Sequence, residues 1–231
     1  MEYIIALLIV AIPIISYVFY IKGKKVGASE FFKLIANFGY QSKVNAFRAQ
    51  NKHIPLGGVV FLGDSITQDY NVYEAFPGRL VYNRGIGGDT TVGVLNRLDV
   101  SVFELKPKAV VMLIGTNDFA LLKSSIEEVF ERYIKIIDTI KEKLPTCHVI
   151  VQSVYPVNET IDKMTVLPRN NRDIDALNEM LKTIKTITYV DVSSHLKDED
   201  HRFKAIYTLE GLHVSPLGYE IITDILSTLL D

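Results

Sequence analysis

One serine and one histidine lie where hydrolytic chemistry would need them. Ser65 follows the short apolar run Val59–Leu62, a predicted strand, so the serine lies just beyond the end of that strand. His213 lies three residues after Glu210, so this carboxylate can orient the imidazole ring. A histidine held in this way can accept the proton of a serine hydroxyl and activate the serine as a nucleophile. Taken alone, Ser65 is equally well explained as a helix N-cap, and His213 as a surface residue.

Two further segments supply hydrogen-bond donors. Residues 83–90 are rich in glycine and lead into a predicted helix, where backbone N–H groups favour a negatively charged ligand. A nucleotide phosphate fits this segment poorly, because no Lys-Ser or Lys-Thr pair follows and the G-x-G-x-x-G spacing fails at Thr90. Gly115-Thr116-Asn117-Asp118 follows another predicted strand, where Asn and Asp also favour a simple turn.

Together these segments resemble the GDSL, or SGNH, superfamily of esterases and lipases. Gly63-Asp64-Ser65-Ile66, Gly88-Asp89-Thr90, Gly115-Thr116-Asn117-Asp118 and His213 match its sequence blocks in order. The resemblance covers roughly residues 58–230. It is greatest to the small bacterial esterases that are similar to platelet-activating-factor acetylhydrolase subunits.

The resemblance implies a fold and a set of roles. The fold is a flavodoxin-like three-layer α/β/α arrangement that works without a metal or an organic cofactor. Ser65 is the implied nucleophile and His213 the implied general base. The implied oxyanion hole combines the backbone N–H groups of Ser65 and Gly88 with the side-chain amide of Asn117. Such fixed donors are what an acyl-transfer intermediate needs.

The acid of the implied triad departs from the family pattern. The family usually has Asp three residues before the histidine, whereas this chain has Glu210. Glutamate serves as the triad acid on other folds, so we expect Glu210 to orient His213. The alternative is a serine–histidine dyad whose ring is held by a backbone carbonyl. Asp64 and Asp118 are expected to hold loops, because a carboxylate near the oxyanion would oppose its formation.

The elements that must position these residues alternate along the chain. Apolar runs rich in β-branched residues predict strands at Val59–Leu62, Leu80–Tyr82, Val110–Ile114, Val149–Val154 and Tyr189–Val192. Helical periodicity predicts helices at Thr90–Phe103, Ser124–Leu144, Asn170–Ile184 and Ser215–Leu230. We expect a capping box at Ser124 and Glu127, and Ser215 as the cap before Pro216. The alternation favours an α/β fold with a five-stranded parallel sheet and a site at the carboxyl ends of its strands.

Composition excludes several other classes of function. The chain has 231 residues and a formal net charge of -2, which gives no overall electrostatic basis for binding nucleic acid. Its single cysteine, Cys147, excludes an internal disulfide and a cysteine-based metal cluster.

The N-terminal segment predicts membrane attachment. No charged residue lies between Glu2 and Lys22, and a helix of this length matches the thickness of a bilayer core. We expect an uncleaved hydrophobic anchor helix over residues 1–25, with a cleaved signal peptide or a buried helix as alternatives. The lysines that follow the apolar run predict a single-pass protein of the cell membrane with a cytoplasmic domain. The extracellular face is the alternative.

Residues 26–57 are predicted to form a linker helix that precedes a hydrolase domain over residues 58–231. The apolar face of this helix, Phe31, Leu34, Ile35 and Phe38, is expected to pack on the domain. Contact with the membrane, or pairing with a second chain in a homodimer, are the alternatives. Arg169 follows the fourth predicted strand on a long loop. We expect it to cap the next helix, with binding of an anionic substrate group as the alternative.

The sequence therefore predicts a membrane-tethered serine esterase. The expected substrate is a small-molecule ester with a short acyl group, and an acetyl group is the first candidate. The ester is expected to be cleaved through an acyl-serine intermediate. A lysophospholipase or thioesterase is the alternative within the enzyme class. A non-catalytic binding or scaffold protein on the esterase fold is the alternative outside it.

Overall fold

The structure is a computed structural model that describes the backbone of residues 2–230. It describes the side chains of residues 17, 20, 22–24, 27, 30, 31 and 34–230. The chain divides into two compact units, one ending at Ser42 and the other beginning at Lys43. The division into segments 1–25, 26–57 and 58–231 stays a prediction.

A parallel sheet of five strands forms the centre of the second unit. The strands are β1 Val59–Gly63, β2 Val81–Gly85, β3 Ala109–Leu113, β4 His148–Gln152 and β5 Thr188–Val190. Their order in the sheet is β2-β1-β3-β4-β5, and all neighbours run parallel. The prediction of a five-stranded parallel sheet is confirmed. All strands therefore end at the same edge, and the loops that follow them meet there.

Helices connect the strands and cover both faces of the sheet. Their bounds are α1 Glu2–Asn51, α2 Ser65–Asp69, α3 Val72–Ala75, α4 Thr91–Asn96, α5 Leu98–Ser101, α6 Ile126–Lys143, α7 Lys163–Val166, α8 Asn171–Lys182, α9 Ser193–Leu196 and α10 Pro216–Ser227. Short 3₁₀ turns lie at Phe103–Leu105 and Ala205–Tyr207, and a π-helical turn lies at Asp118–Leu122.

The sheet separates two hydrophobic cores. Alternate residues of a strand point to opposite faces, so Val60 and Leu62 enter one core while Val59 and Phe61 enter the other. Apolar residues of α4, α5, α6 and α8 complete the first core. Those of α2, α3, α9 and α10 complete the second. Because both faces are buried, β1 and β3 are apolar at almost every position, which is the pattern that the sequence shows.

Several predicted element boundaries need correction. The capping box of α6 is formed by Ser125 and Glu128, one residue later than predicted, because Lys123 adopts a left-handed conformation and delays the helix. Ser124 instead accepts a hydrogen bond from Arg132 at 2.8 Å. The helix predicted over Thr90–Phe103 is interrupted at Arg97, which leaves the helical conformation and separates α4 from α5. Strands β4 and β5 each end two residues earlier than predicted.

The start of the last helix agrees with the prediction. Ser215 has an extended backbone and accepts a hydrogen bond from the Gly218 N–H at 3.2 Å, and Pro216 is the first helical residue. Proline is favoured there because the first N–H groups of a helix have no partner within it. This cap fixes where α10 begins, three residues after His213.

The predicted membrane localisation is contradicted. Across the part of the chain that the structure describes, no helix combines the length and the apolar composition needed to cross a bilayer. This finding corrects the expected single-pass attachment to the cell membrane, with the domain on either face. Met1 and most side chains of the predicted anchor over residues 1–25 lie outside the described residues.

The first part of the linker helix belongs to the first unit. Its residues Phe31, Leu34, Ile35 and Phe38 are more than half exposed, and the packing of this face on the domain stays a prediction. Within the second unit, Phe47 is buried near the end of α1, and the Arg84 guanidinium lies 4.7 Å from the centre of its ring. An arginine over an aromatic ring is a favourable cation–π contact. The end of α1 is thereby attached to β2.

Candidate active site

The structure brings Ser65, His213 and Glu210 into one chain of hydrogen bonds. The Ser65 hydroxyl lies 3.0 Å from His213 Nε2. On the other side of the ring, His213 Nδ1 hydrogen-bonds to Glu210 Oε1. The same carboxylate oxygen accepts a bond from the His213 backbone N–H at 3.3 Å. This is the order nucleophile, base and orienting acid that a serine hydrolase requires.

Ser65 is positioned by a tight turn that leads directly from the end of β1 into α2. Asp64 is the N-cap of α2, and its carboxylate accepts a hydrogen bond from the Ile66 N–H at 3.0 Å. The turn is so tight that a side chain at Gly63 would lie 2.2 Å from Thr67 Oγ1 and 2.3 Å from the Leu113 carbonyl oxygen. Glycine at position 63 therefore lets α2 begin at the edge of the sheet, with Ser65 as its first residue.

His213 is positioned by a closed loop between Thr208 and His213. The Thr208 hydroxyl donates to the His213 carbonyl at 2.7 Å and accepts from the Gly211 N–H at 2.9 Å. Gly211 has a φ of +98°, and a side chain there would lie 2.2 Å from the Asn158 carbonyl oxygen. The positive φ and the close approach both require glycine. The loop turns the Glu210 side chain toward the imidazole ring.

Asn117 is buried at the end of the segment that follows β3. Its side-chain nitrogen donates to the Asp89 carbonyl at 3.0 Å and lies 3.5 Å from Asp64 Oδ2. Gly88 precedes Asp89 and has a φ of +74°. The loops that carry Gly88 and Asn117 are thus joined through the Asp89 backbone.

A buried ion pair that sequence reasoning missed holds these loops. Arg97 Nε donates to Asp89 Oδ2 at 2.7 Å, and both side chains are almost fully buried. The other guanidinium nitrogens donate to the carbonyl oxygens of Arg84 at 2.8 Å and Gly63 at 2.9 Å. A signal was available: Arg97 falls among the apolar positions Val94 and Leu98, which predicts a buried and paired charge rather than an exposed one.

Asp118 also holds loops, as its sequence context predicts. Its carboxylate accepts a hydrogen bond from the Thr91 N–H at 2.9 Å, and the Thr91 hydroxyl donates to its other oxygen. Arg132 on α6 donates to this carboxylate at 3.1 Å. The start of α4 is therefore tied to the segment after β3.

Arg169 does not cap the next helix, although this was expected of it. The cap of α8 is Asn170, whose side chain accepts from the Asp173 N–H at 2.9 Å. The Arg169 side chain is buried, and its Nη2 donates to Asn117 Oδ1 at 2.7 Å. The loop after β4 thus reaches the site that the first three strands build.

Burial changes the acid–base properties of the site. It raises the pKa of Asp64 to about 7, and the charge of Asp89 adds to this, while the hydrogen bond from Ile66 N–H opposes it. Burial also raises the pKa of Asp89 and of Asp118, against the stabilising charges of Arg97 and Arg132. Burial lowers the pKa of Arg169. The edge of the sheet is therefore a region of low polarity in which each charge depends on its partner.

Two spaces border residues that are next to the triad in the chain. A closed cavity of about 10 Å³ lies against Asp64 and Ile66, the neighbours of Ser65. A wider groove of about 810 Å³ is bordered by Leu209 and Val214, the neighbours of the Glu210–His213 segment. Tyr70 and Tyr219 also line this groove, and four carboxylate side chains surround it: Asp69, Glu74, Glu220 and Asp224.

A parallel five-stranded sheet with a serine, a histidine and a carboxylate joined at its carboxyl edge defines a three-layer α/β esterase. The GDSL-like lipase/acylhydrolase family matches residues 61–221, and the chain belongs to this family. The predicted family and the predicted enzyme class, a carboxylic ester hydrolase, are confirmed.

Known relatives share both the sequence and the fold. The platelet-activating factor acetylhydrolase IB subunit alpha2 of Homo sapiens is 30% identical over 167 residues, which are 70% of each chain. A solved structure from Streptococcus pneumoniae, named for platelet activating factor, has a TM-score of 0.82 and 26% identity. It covers 88% of this chain and 98% of its own. An acylhydrolase from Bacteroides fragilis has a TM-score of 0.70 and 25% identity, with coverage of 80% and 93%. Neither a membrane anchor nor a homodimer gains support from these relatives.

The raised pKa of Asp64 predicts how stability depends on pH. The buried carboxyl keeps its proton up to about pH 7, whereas in the unfolded chain it loses the proton near pH 3.8. The contribution of Asp64 to the free energy of unfolding therefore falls as the pH rises through this interval. Asp64→Asn, which keeps a capping oxygen, should gain stability relative to wild type between pH 5 and pH 8. We expect more than about 1 kcal/mol, since a tenfold change in acidity corresponds to about 1.4 kcal/mol.

Urea unfolding of wild type and Asp64→Asn, carried out at about pH 5 and about pH 8, measures this difference in the free energy of unfolding. Asp138→Asn is the control, because Asp138 is an exposed residue of α6 and should follow wild type. Parallel pH curves for wild type and Asp64→Asn would mean that Asp64 titrates at its ordinary pKa.

Proposed function

We propose that the protein hydrolyses a short acyl ester of a small molecule, an acetyl ester first of all, through an acyl-serine intermediate. The observation that carries this proposal is the hydrogen-bonded chain from Ser65 through His213 to Glu210. A serine hydroxyl at 3.0 Å from a histidine nitrogen is within the range that proton transfer requires.

The first half of the reaction forms the acyl-enzyme. Ser65 Oγ attacks the ester carbonyl carbon while its proton moves to His213 Nε2. The Glu210 carboxylate holds the Nδ1–H of the ring and stabilises the imidazolium. When the tetrahedral intermediate collapses, the bond to the alcohol oxygen breaks and His213 returns the proton to that oxygen. The alcohol leaves and the acyl group stays on Ser65.

The second half repeats these steps with water. His213 Nε2 takes a proton from a water molecule, whose oxygen attacks the acyl carbon. The second tetrahedral intermediate collapses, Ser65 Oγ leaves with the proton from His213, and the carboxylic acid is released. In both halves negative charge develops on the former carbonyl oxygen. The N–H groups of Ser65 and Gly88 and the Asn117 amide are proposed to receive it, and each such donor contributes about 2.7–4 kcal/mol.

Two observations favour a short acyl group. The relatives that are 30% identical to this chain are acetylhydrolases by name. The closed cavity beside Asp64 and Ile66 measures about 10 Å³, and this space is too small for an alkyl chain. This cavity therefore cannot hold the alkyl chain of a long acyl group that is bound at Ser65.

The groove beside the histidine loop favours a second candidate function. Its volume of about 810 Å³ and its Tyr70, Leu209 and Tyr219 lining fit a longer apolar group, as in a lysophospholipid or an acyl thioester. Acyl length therefore separates the two candidates.

Covalent labelling tests the nucleophile. A fluorophosphonate reacts when an activated serine oxygen attacks phosphorus and fluoride leaves, so we expect one label on Ser65 of the wild-type protein. Ser65→Ala should lose the label and about 10³-fold or more of the esterase activity. Ser194→Ala, at an exposed serine, is the control and should label fully. Labelling of Ser65→Ala at the wild-type rate would place the nucleophile elsewhere.

Two variants of Glu210 test the acid. Glu210→Gln keeps the shape but removes the charge that stabilises the imidazolium, so kcat should fall at least about 10-fold with KM little changed. Glu210→Asp restores a carboxylate and should recover part of kcat. Steady-state kinetics of both variants, with unfolding midpoints as the folding control, provide the measurement. Equal activity of Glu210→Gln and wild type would remove Glu210 from the mechanism and leave a dyad.

A series of p-nitrophenyl esters tests the acyl length. With chains from about two to twelve carbons, we expect kcat/KM to be highest for the shortest esters, because the cavity beside Asp64 and Ile66 is too small for a longer chain. A maximum at long chains would favour the lysophospholipase or thioesterase instead. Leu209→Ser tests whether the groove binds the acyl chain. If it does, the substitution should reduce activity only toward the long esters.

A further inference from the structure

Arg169 is a buried cation, and no carboxylate among the described residues forms an ion pair with it. Its Nε donates to the Thr116 carbonyl at 3.2 Å, and its Nη1 donates to the carbonyls of Thr165 at 2.9 Å and Val166 at 3.3 Å. Its Nη2 donates to Asn117 Oδ1 at 2.7 Å. All of these acceptors are carbonyl oxygens. Burying a guanidinium without a direct ion-pair partner is costly, and an apolar side chain could fill the same space.

The contact with Asn117 is the one that an apolar residue could not replace. A carboxamide has one oxygen acceptor and two N–H donors, and its two ends are similar in shape. Arg169 holds the oxygen end of Asn117, while the Asp89 carbonyl accepts one N–H at 3.0 Å. The second N–H has only a long contact, 3.5 Å, to Asp64 Oδ2. One donor of the amide is therefore kept in place and available for a stronger acceptor.

We propose that Arg169 is a positioning residue that acts on the reaction through Asn117. It keeps the oxygen of the carboxamide turned away from the developing oxyanion, so that the amide presents a donor and not an acceptor to it. The positive charge at the oxygen end also polarises the N–H bonds and strengthens their donation. This inference rests on the proposed function, in which Asn117 Nδ2 receives the oxyanion.

Through Arg169, the loop after β4 contributes to the site. Arg169 lies between α7 and α8, and its bonds to Thr165 and Val166 attach the guanidinium to the end of α7. Its bonds to Thr116 and Asn117 attach the same group to the segment after β3. A change in this loop can therefore alter catalysis without any contact between the loop and the substrate.

A double-mutant cycle between Arg169 and Asn117 tests the proposal. Arg169→Met should lower kcat about 10- to 100-fold with KM changed less than about 2-fold, because the effect arises as the oxyanion forms. In the Asn117→Ala background the same substitution should change kcat by less than about 3-fold, since the group through which it acts is gone. Equal effects of Arg169→Met in both backgrounds would mean a merely structural role and would overturn the proposal.

Two further variants keep the test decisive. Arg169→Lys keeps a positive charge and one donor, so it should recover part of the kcat lost in Arg169→Met. If Arg169→Met does not fold, Arg169→Lys enters the cycle in its place. Arg172→Met is the matched control, because the Arg172 side chain is 90% exposed and should leave kcat unchanged.

The side-chain amide protons of Asn117 give a readout that does not depend on activity. They are assigned in the nitrogen-15 spectrum by their absence in Asn117→Ala. Their exchange with solvent should be at least about 10-fold faster in Arg169→Met and unchanged in Arg172→Met, because an opened hydrogen bond exposes them. Unchanged exchange in Arg169→Met would refute the inference even if the wild-type protein hydrolysed no ester. Activity of wild type that is lost in Ser65→Ala supports the proposed function separately.

Discussion

The buried ion pair between Arg97 and Asp89 is the interaction on which the rest of the site depends. The Arg97 guanidinium reaches the last residue of β1 and the carbonyl of Arg84 in β2 while it neutralises Asp89. The carbonyl of Gly63 that it holds immediately precedes Asp64 and Ser65, and the Asp89 backbone holds Asn117. One side chain therefore sets the separation between the nucleophile and two of the proposed oxyanion donors. Its removal would leave an unpaired buried carboxylate, which is strongly destabilising.

The site uses other buried polar groups in the same way, as connections between loops. Asp118 joins the segment after β3 to the start of α4, and Arg169 joins it to the loop after β4. Each connection is made in a region of low polarity, where a hydrogen bond is strong and an unsatisfied group is costly. The geometry of the hydrolytic groups is therefore fixed mainly by the polar groups behind them. The raised pKa of Asp64 shows the energetic cost of burying a charged group. This carboxyl lies beside Ser65, and no cation among the described residues forms an ion pair with it.

The groove beside the histidine loop differs from the buried part of the site. Leu209 and Val214 border a groove on the surface, and the four acidic residues around it are exposed. No rigid network comparable to that of Arg97 connects these groove residues among the described contacts. In the proposed reaction, selection between short and long acyl groups would depend on the shape of this surface, whereas acyl transfer would depend on the buried network.

Apolar periodicity and the motif segments correctly predicted the parallel α/β fold and the family, while the roles of the site residues stay a prediction. Periodicity of apolar residues is a local property, and the spacing of Ser65, Asn117 and His213 after their strands needs only the rule that parallel strands end at one edge. The sequence could not determine where buried charges find their partners. Arg169 was expected to cap a helix, yet it is 7% exposed and bonded to Asn117, which lies 52 residues earlier in the chain. The apolar N-terminal run predicted a membrane anchor that finds no support in the described structure. Such long-range contacts become visible in the folded chain alone, because they depend on how separate loops meet in space.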